Sequence, residues 1–146
     1  MRIALELTRR PDAEIRRGAR RLFLYRLWAR LRFQTTHGWS EAHTALVDTG
    51  ATYSLIPRSL WPSLRARHLA RQTIRGIVPD PHAELSGDLV TVPTRLFDEV
   101  HRSPRLTLYA ILADTNHVPL ILGWAGCLDR AKLVVDARHH RAWLEF

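Results

Sequence analysis

The amino-acid sequence predicts an all-β protein with one or two short helices. Apolar and polar residues alternate with a period of two in several segments, which is the spacing of side chains on one face of a strand. The chain has 146 residues, 46% of them hydrophobic and 25% charged, which is enough for one well-formed core and hardly two. We therefore expect a single domain over residues 1–146, with residues 1–26 as a basic N-terminal strand or extension.

Strands are predicted in the N-terminal half wherever the alternation runs between turn residues. These strands lie at residues 3–7, 27–33, 43–47 and 53–56, with a turn at 36–40. Asp48-Thr49-Gly50 is a sharp turn between two apolar strands, where glycine can take backbone angles that other residues avoid. Ser59 is expected to cap a short helix over residues 60–64, which Pro62 keeps brief.

The C-terminal half begins with a predicted long hairpin. Its arms are residues 73–77 and 88–96, and the connecting residues 78–87 contain two prolines that forbid regular ladder bonding. We therefore expect a projecting loop between the arms. The remaining predicted elements are strands at 106–113, 120–122, 132–136 and 141–146 and a single helix at 125–131.

Composition excludes several classes of protein. The single cysteine, Cys127, excludes a disulfide framework and a multi-thiolate metal site, so a reducing compartment suits the chain. The eight histidines lack the spacing of metal ligands, and we expect no metal and no cofactor. Residues 1–10 are charged rather than apolar, and no apolar run approaches the roughly 18 residues that cross a bilayer. These features predict a cytoplasmic protein with no membrane partner.

Arginine is concentrated near the start of the chain. Residues 1–32 hold ten arginines against Glu6, Asp12 and Glu14. This surplus suits contact with phosphate or an anionic surface. A solvated face is the favoured interpretation, because aromatic residues are sparse there and no known nucleic-acid module fits, so a nucleic acid is not an expected partner.

Two motifs carry the functional signal. Ala45-Leu46-Val47-Asp48-Thr49-Gly50-Ala51 places a carboxylate on a tight turn directly after an apolar strand. Val118-Pro119-Leu120-Ile121-Leu122-Gly123 is an apolar strand that ends in glycine. In their order and separation these motifs resemble the retropepsin-like aspartic proteases, the single-domain retroviral type. The resemblance covers residues 27–146 and implies a closed β-barrel, equivalent to half of a two-lobed pepsin.

The resemblance implies an aspartic endopeptidase that acts as a homodimer on a polypeptide substrate. Each chain supplies one catalytic aspartate, and Asp48 stands in the only Asp-Thr-Gly. Two such carboxylates share a proton, so that one activates water while the other donates to the scissile carbonyl. In this family Thr49 supports the pair across the two-fold axis, and Gly50 allows the substrate backbone to approach.

The same resemblance assigns a set of substrate-binding residues. They are Ala51, Thr52, Gly76, Ile77, Pro119 and Ile121. Thr52 departs from the family, which often carries an acidic residue there, and this departure affects specificity. The flap departs further, because Gly76-Ile77 is followed by Val78-Pro79-Asp80-Pro81 where the family is usually rich in glycine.

Two other interpretations remain open at this stage. The fold could serve as a weakly active or inactive binding or scaffold module in which Asp48 is only a turn residue. The arginine-rich N-terminal segment could instead bind an anionic polymer. For the homodimer we expect residues 1–8 and 141–146 to be unpaired edge strands that a second chain completes.

Overall fold

The computed structural model describes residues 1–17, 20–74 and 85–146. Eleven strands form one mixed sheet in the order β10-β11-β1-β2-β4-β9-β5-β8-β7-β6, with β3 paired to β2. The strands are β1 (Arg2–Arg17), β2 (Arg20–Thr35), β3 (Gly38–Trp39), β4 (His43–Val47), β5 (Ser54–Ile56), β6 (Arg67–Ile74), β7 (Leu85–Phe97), β8 (Leu106–Ala113), β9 (Ile121–Leu122), β10 (Lys132–Asp136) and β11 (Arg141–Glu145). The predicted all-β class is confirmed.

The sheet closes on itself through β2 and β7. Arg30 to Phe33 of β2 pair antiparallel with Phe97 to Thr94 of β7, in addition to the pairing of β2 with β4. The ring therefore runs β2-β4-β9-β5-β8-β7 and returns to β2. Closure leaves these six strands without a free edge along their paired segments, as expected for a barrel.

The core follows the predicted alternation. On β2, Leu31 and Phe33 are fully buried, whereas Arg30 and Arg32 between and beside them are exposed. The main core cluster joins these β2 residues to buried residues of β7 and β8, such as Leu108. A second, smaller cluster contains the buried residues Leu55, Leu89, Ile111, Ala113, Val118 and Ile121.

The termini are paired within the chain, so the expectation of open terminal edges was wrong. Arg2 to Leu5 of β1 pair with Glu145 to Ala142 of β11, and β10 pairs with the other side of β11. The main-chain N–H of Phe146 also donates to the carbonyl of Met1 at 3.0 Å. Both terminal strands therefore lie inside the sheet, and β10 stands at its end.

Asp98 ties β1 to the segment that follows β7. Its carboxylate accepts the Ala4 N–H at 2.8 Å and the N–H groups of Val100 and His101 at 2.8 and 2.6 Å. Burial disfavours the charged carboxylate, but these hydrogen bonds outweigh the burial and hold the pKa of Asp98 below its usual value. The charged form therefore helps to fix the start of the chain against the barrel.

Both predicted helices differ from the structure. The first is a 3-10 helix at Arg58–Leu60 with Pro57 at its N-cap, so Ser59 lies inside the helix and does not cap it. The second is a turn followed by a 3-10 helix at Leu128–Arg130. Gly126 explains this break, because its φ of +80° and its close approach to the Thr107 carbonyl interrupt a continuous helix.

The predicted long hairpin exists with different bounds. Its arms β6 and β7 pair antiparallel from Arg67↔Thr91 to Ile74↔Leu85, so residues 85–87 belong to a strand and not to the loop. Residues 75–84, which carry the rest of the predicted loop, lie outside the described residues. A third 3-10 helix spans Ala137–His139. No helix in the described part of the chain is long and apolar enough to cross a membrane.

Two phenylalanines on β2 test the assignment of the core. Phe33 is fully buried and Phe23 is 37% exposed. We predict that Phe33→Ala lowers the free energy of unfolding by about 3–5 kcal/mol, because it leaves a cavity in a closed barrel. Phe23→Ala is the matched control and costs about 1 kcal/mol or less. Urea unfolding measures both, and equal losses would contradict this assignment.

Candidate active site

Asp48 follows β4, and the parallel pairing of β4 with β9 fixes its position. Leu46 and Val47 pair with Ile121 and Leu122, and the N–H of Asp48 continues the ladder by donating to the Leu122 carbonyl at 3.0 Å. Because β4 and β9 are neighbours inside the barrel, both sides of this ladder are anchored in the core. The two sequence motifs therefore meet directly at the backbone of Asp48.

The Asp48 carboxylate is partly buried and organises its own turn. One carboxylate oxygen, Oδ1, accepts the N–H of Gly50 at 2.8 Å, and the Asp48 carbonyl accepts the N–H of Ala51 at 3.3 Å. An aspartate that bonds the backbone two residues ahead forms an Asx-type turn. Thr49 and Gly50 are exposed, so the tip of this turn faces solvent in a single chain.

Gly123 lets β9 and the segment after the turn approach closely. A Cβ atom at position 123 would lie 2.6 Å from the carbonyl oxygens of both Ala51 and Tyr53, a separation that no side chain tolerates. The N–H of Gly123 donates to the hydroxyl of Ser54, which is fully buried, at 3.1 Å. The glycine of the second motif is thus required by packing, and Ser54 satisfies its buried N–H group.

Trp124 holds the turn from the other side. Its main-chain N–H donates to the Ala51 carbonyl at 3.0 Å, and its indole N–H donates to the Thr49 carbonyl at 2.6 Å. The ring itself is 44% exposed. Trp124 therefore bonds both ends of the Thr49–Ala51 segment, while one surface of the ring remains accessible beside it.

The remaining predicted site residues are exposed, packed in the smaller core cluster, or outside the described residues. Thr52 is exposed, and its carbonyl accepts the N–H of Ala125 at 2.9 Å. Ile121 is almost fully buried in the smaller core cluster, against which Ala51 packs. Pro119 is exposed just before the strand. Gly76 and Ile77 lie outside the described residues.

Ser54 and Trp124 were not identified as site residues from the sequence. Ser54 is a small polar residue in the strand run 53–56, and such a residue has many possible partners. The only sequence signal for a role of Trp124 near Asp48 is that it directly follows the glycine of the second motif. Neither contact has a short-range pattern that would reveal it.

Cys127 is not a candidate nucleophile. The thiol is fully buried, and burial, together with the nearby Asp129 carboxylate, raises the pKa of Cys127 to about 12. The neutral thiol is a weak nucleophile, since the thiolate is the reactive form. Cys127 is therefore a small core residue.

Comparison with known families agrees with this geometry. A model of the retroviral aspartyl protease family matches residues 23–104, which is more than half of the chain and includes Asp48. The chain belongs to this family. A search of curated proteins finds no match. The matched range ends before β9, so the contact of Gly123 with the Asp48 turn is known from the structure alone.

The indole hydrogen bond of Trp124 generates a prediction. Trp124→Phe keeps an aromatic ring but removes the donor to Thr49, which costs about 1 kcal/mol of unfolding free energy. Amide hydrogen exchange of Gly50 and Ala51 should accelerate. Trp143→Phe is the matched control, because the indole N–H of Trp143 donates to Glu145 on the same strand and not to the Asp48 turn. Loss of this hydrogen bond should leave amide exchange in the turn unchanged. Unaltered exchange in Trp124→Phe would contradict the role of this bond.

Proposed function

We propose that the chain is an aspartic endopeptidase that acts as a homodimer on polypeptides. The observation that carries the proposal is the Asp48 carboxylate on a backbone-bonded turn, packed against β9 in a member of the retroviral aspartyl protease family. The proposed enzyme is one domain of residues 1–146, since β11, near the end of the chain, pairs with β1 at its start.

The proposed chemistry needs two carboxylates, and the chain has one Asp-Thr-Gly. A second copy related by a two-fold axis supplies the other Asp48. Two carboxylates about 3 Å apart cannot both ionise, so the pair holds one proton and titrates as a unit. The ionised member takes a proton from water, and the protonated member donates to the carbonyl oxygen of the scissile bond.

The turn contacts support distinct roles for the neighbouring residues. The Gly50 N–H directed at Oδ1 fixes the orientation of the Asp48 side chain. Thr49 is proposed to support the pair across the axis, while Trp124 positions the Thr49 carbonyl. Ala51, Thr52, Pro119 and Ile121 are proposed to contact substrate, together with Gly76 and Ile77 of the flap.

The outer edge of β10 is the proposed route to the dimer. β10 and β6 stand at the two ends of the sheet order. β6 carries Arg67, His68 and Arg71, and a positively charged edge resists pairing with its own copy. β10 reads Lys132-Leu133-Val134-Val135-Asp136, with apolar residues between a cation and an anion.

β10 is self-complementary when two copies pair antiparallel about Val134. Lys132 then faces Asp136 of the partner subunit, and Leu133 faces the partner's Val135. Opposite charges and apolar pairs across strands each stabilise a sheet. A two-fold axis at this point satisfies the open edge in both copies, as an isologous interface requires. The proposed chemistry requires in addition that this same axis bring the two Asp48 carboxylates together.

Removal of the catalytic carboxylate is the direct test of the proposed activity. Asp48→Asn keeps an oxygen to accept the Gly50 N–H, so the fold should persist. The amide can neither share a proton nor act as a base, and peptide cleavage should fall by a factor of about 100 to 10,000. Asp114→Asn is the matched control, because Asp114 precedes a threonine but pairs with Arg71 on the surface.

The assay is digestion of a peptide library from about pH 3 to about pH 9, a range that brackets shared-proton carboxyl pairs. Cleavage should be highest at mildly acidic pH and fall as the pH rises, because the second deprotonation removes the acid that the carbonyl needs. Equal cleavage by Asp48→Asn and the unaltered protein, or cleavage that keeps rising to the alkaline limit, would contradict the aspartic mechanism.

A separate prediction concerns the dimer. Val135 is 47% exposed on β10, and Val135→Asp would place an unpaired charge opposite an apolar partner. The dissociation constant should rise by at least about tenfold. Val100→Asp is the matched control, because Val100 is 81% exposed on a turn away from the β10 edge. Sedimentation velocity measures both, and an unaltered protein that stays monomeric at high concentration would contradict the dimer.

A further inference from the structure

The arginine-rich start of the chain forms a two-stranded ribbon that extends from the barrel. β2 pairs with β4 only from Trp28 onward, and within the described residues 22–27 its pairing is with β1 alone. Register pairs in this ribbon include Arg9↔Tyr25, Arg10↔Leu24 and Pro11↔Phe23. We refer to residues 6–11 and 22–27 as the ribbon.

Apolar side chains are exposed on both faces of the ribbon. Leu22, Phe23, Leu24 and Tyr25 are consecutive, and each is between 37% and 49% exposed. Since successive side chains of a strand point to opposite faces, the two leucines lie on one face and the two aromatic residues on the other. An isolated ribbon that exposes apolar groups on both faces has marginal stability in water. Transfer of these apolar groups out of water is favourable.

Positive charge accompanies the apolar groups on each face. Arg9 lies opposite Tyr25, and its guanidinium sits 3.6 Å from the centre of the Phe23 ring. Arg10 and Arg26 lie on the other face, where they line an open hollow of about 720 Å³ together with Thr8, Trp28 and the carboxylate of Glu6. Four further arginines stand at positions 16, 17, 20 and 21, and residues 1–32 contain only three carboxylates.

Although composition alone predicted no membrane partner, we propose from the exposed groups of the ribbon that it docks onto an anionic lipid bilayer. A bilayer interface takes apolar groups from both faces of a ribbon at once, whereas a protein surface or a nucleic-acid groove covers mainly one. Arginine stems extend along apolar surface while their guanidinium groups reach lipid phosphates, and aromatic side chains favour the headgroup level. A second copy of the ribbon is a poor occupant, because its own positive charge repels it.

Vesicle flotation tests the proposal with two lipid compositions. The unaltered protein should float with vesicles of phosphatidylcholine mixed with phosphatidylglycerol and remain unbound with phosphatidylcholine alone. High salt should release it, because the arginine contribution is screened. Equal binding to both compositions, or no binding to either, would overturn the proposal without bearing on peptidase activity.

Variants separate the apolar and charged contributions. Phe23→Ser with Leu24→Ser removes one apolar group from each face and should abolish flotation. Leu69→Ser with Val100→Ser, at exposed apolar sites outside the ribbon, is the matched control and should bind like the unaltered protein. Changing Arg9, Arg10 and Arg26 to Gln should weaken binding on the order of 100-fold.

Oligonucleotide binding tests whether the ribbon recognises nucleic acid instead of a bilayer. Fluorescence anisotropy with single-stranded and double-stranded oligonucleotides should detect only weak, salt-sensitive binding that Phe23→Ser with Leu24→Ser leaves unchanged. If the protein binds oligonucleotides tightly and does not bind anionic vesicles, the proposal is overturned and the partner of the ribbon is a nucleic acid. A ribbon variant that does not unfold cooperatively in urea is misfolded, and its binding is then disregarded. In that case the proposal is decided by how flotation of the unaltered protein depends on salt and on lipid composition.

Discussion

The close approach between β9 and the Asp48 turn is the constraint on which the rest of the site depends. It requires position 123 to lack a side chain, because the carbonyls of Ala51 and Tyr53 occupy the space that a Cβ would take. Once the backbones are this close, Ser54 and Trp124 satisfy backbone donors and acceptors around the turn. The position of Asp48 is therefore set by backbone packing, and the Gly50 N–H then orients its carboxylate.

β2 connects this site to the rest of the molecule. Its central residues pair with β4 and with β7, which closes the barrel, while its first residues continue outward with β1 as the ribbon. The same alternation thus serves two environments, since Leu31 and Phe33 fill the core and Phe23 and Tyr25 meet solvent. What changes along β2 is the number of neighbouring strands, so exposure there is decided by topology rather than by side-chain character.

Much of the fold was predictable from local patterns. The bounds of β4, β8 and β10 agree with the sequence prediction, because each is a short alternating or apolar run between turn residues. The pairing of β1 with β11 was not predictable, since it joins segments about 140 residues apart and alternation is the same whether a strand is inner or edge. The helix expected at 125–131 failed because nothing local reveals that Gly126 must pack against the Thr107 carbonyl. The position of Asp48 was predictable from two motifs, but its contact with Trp124 was not.

The internal pairing of the termini separates folding from assembly. A chain whose first and last strands needed a partner would leave part of its sheet unformed as a monomer. Here β1, β11 and the barrel are completed within one chain, and the fully buried residues Ile3 and Leu144 join the main core without any second copy. The dimer proposed through β10 would add to a finished fold, so each subunit would stay folded after dissociation. Because a lone subunit holds one Asp48, the proposed activity would require association, whereas association would only add by mass action to the stability that a single chain already has.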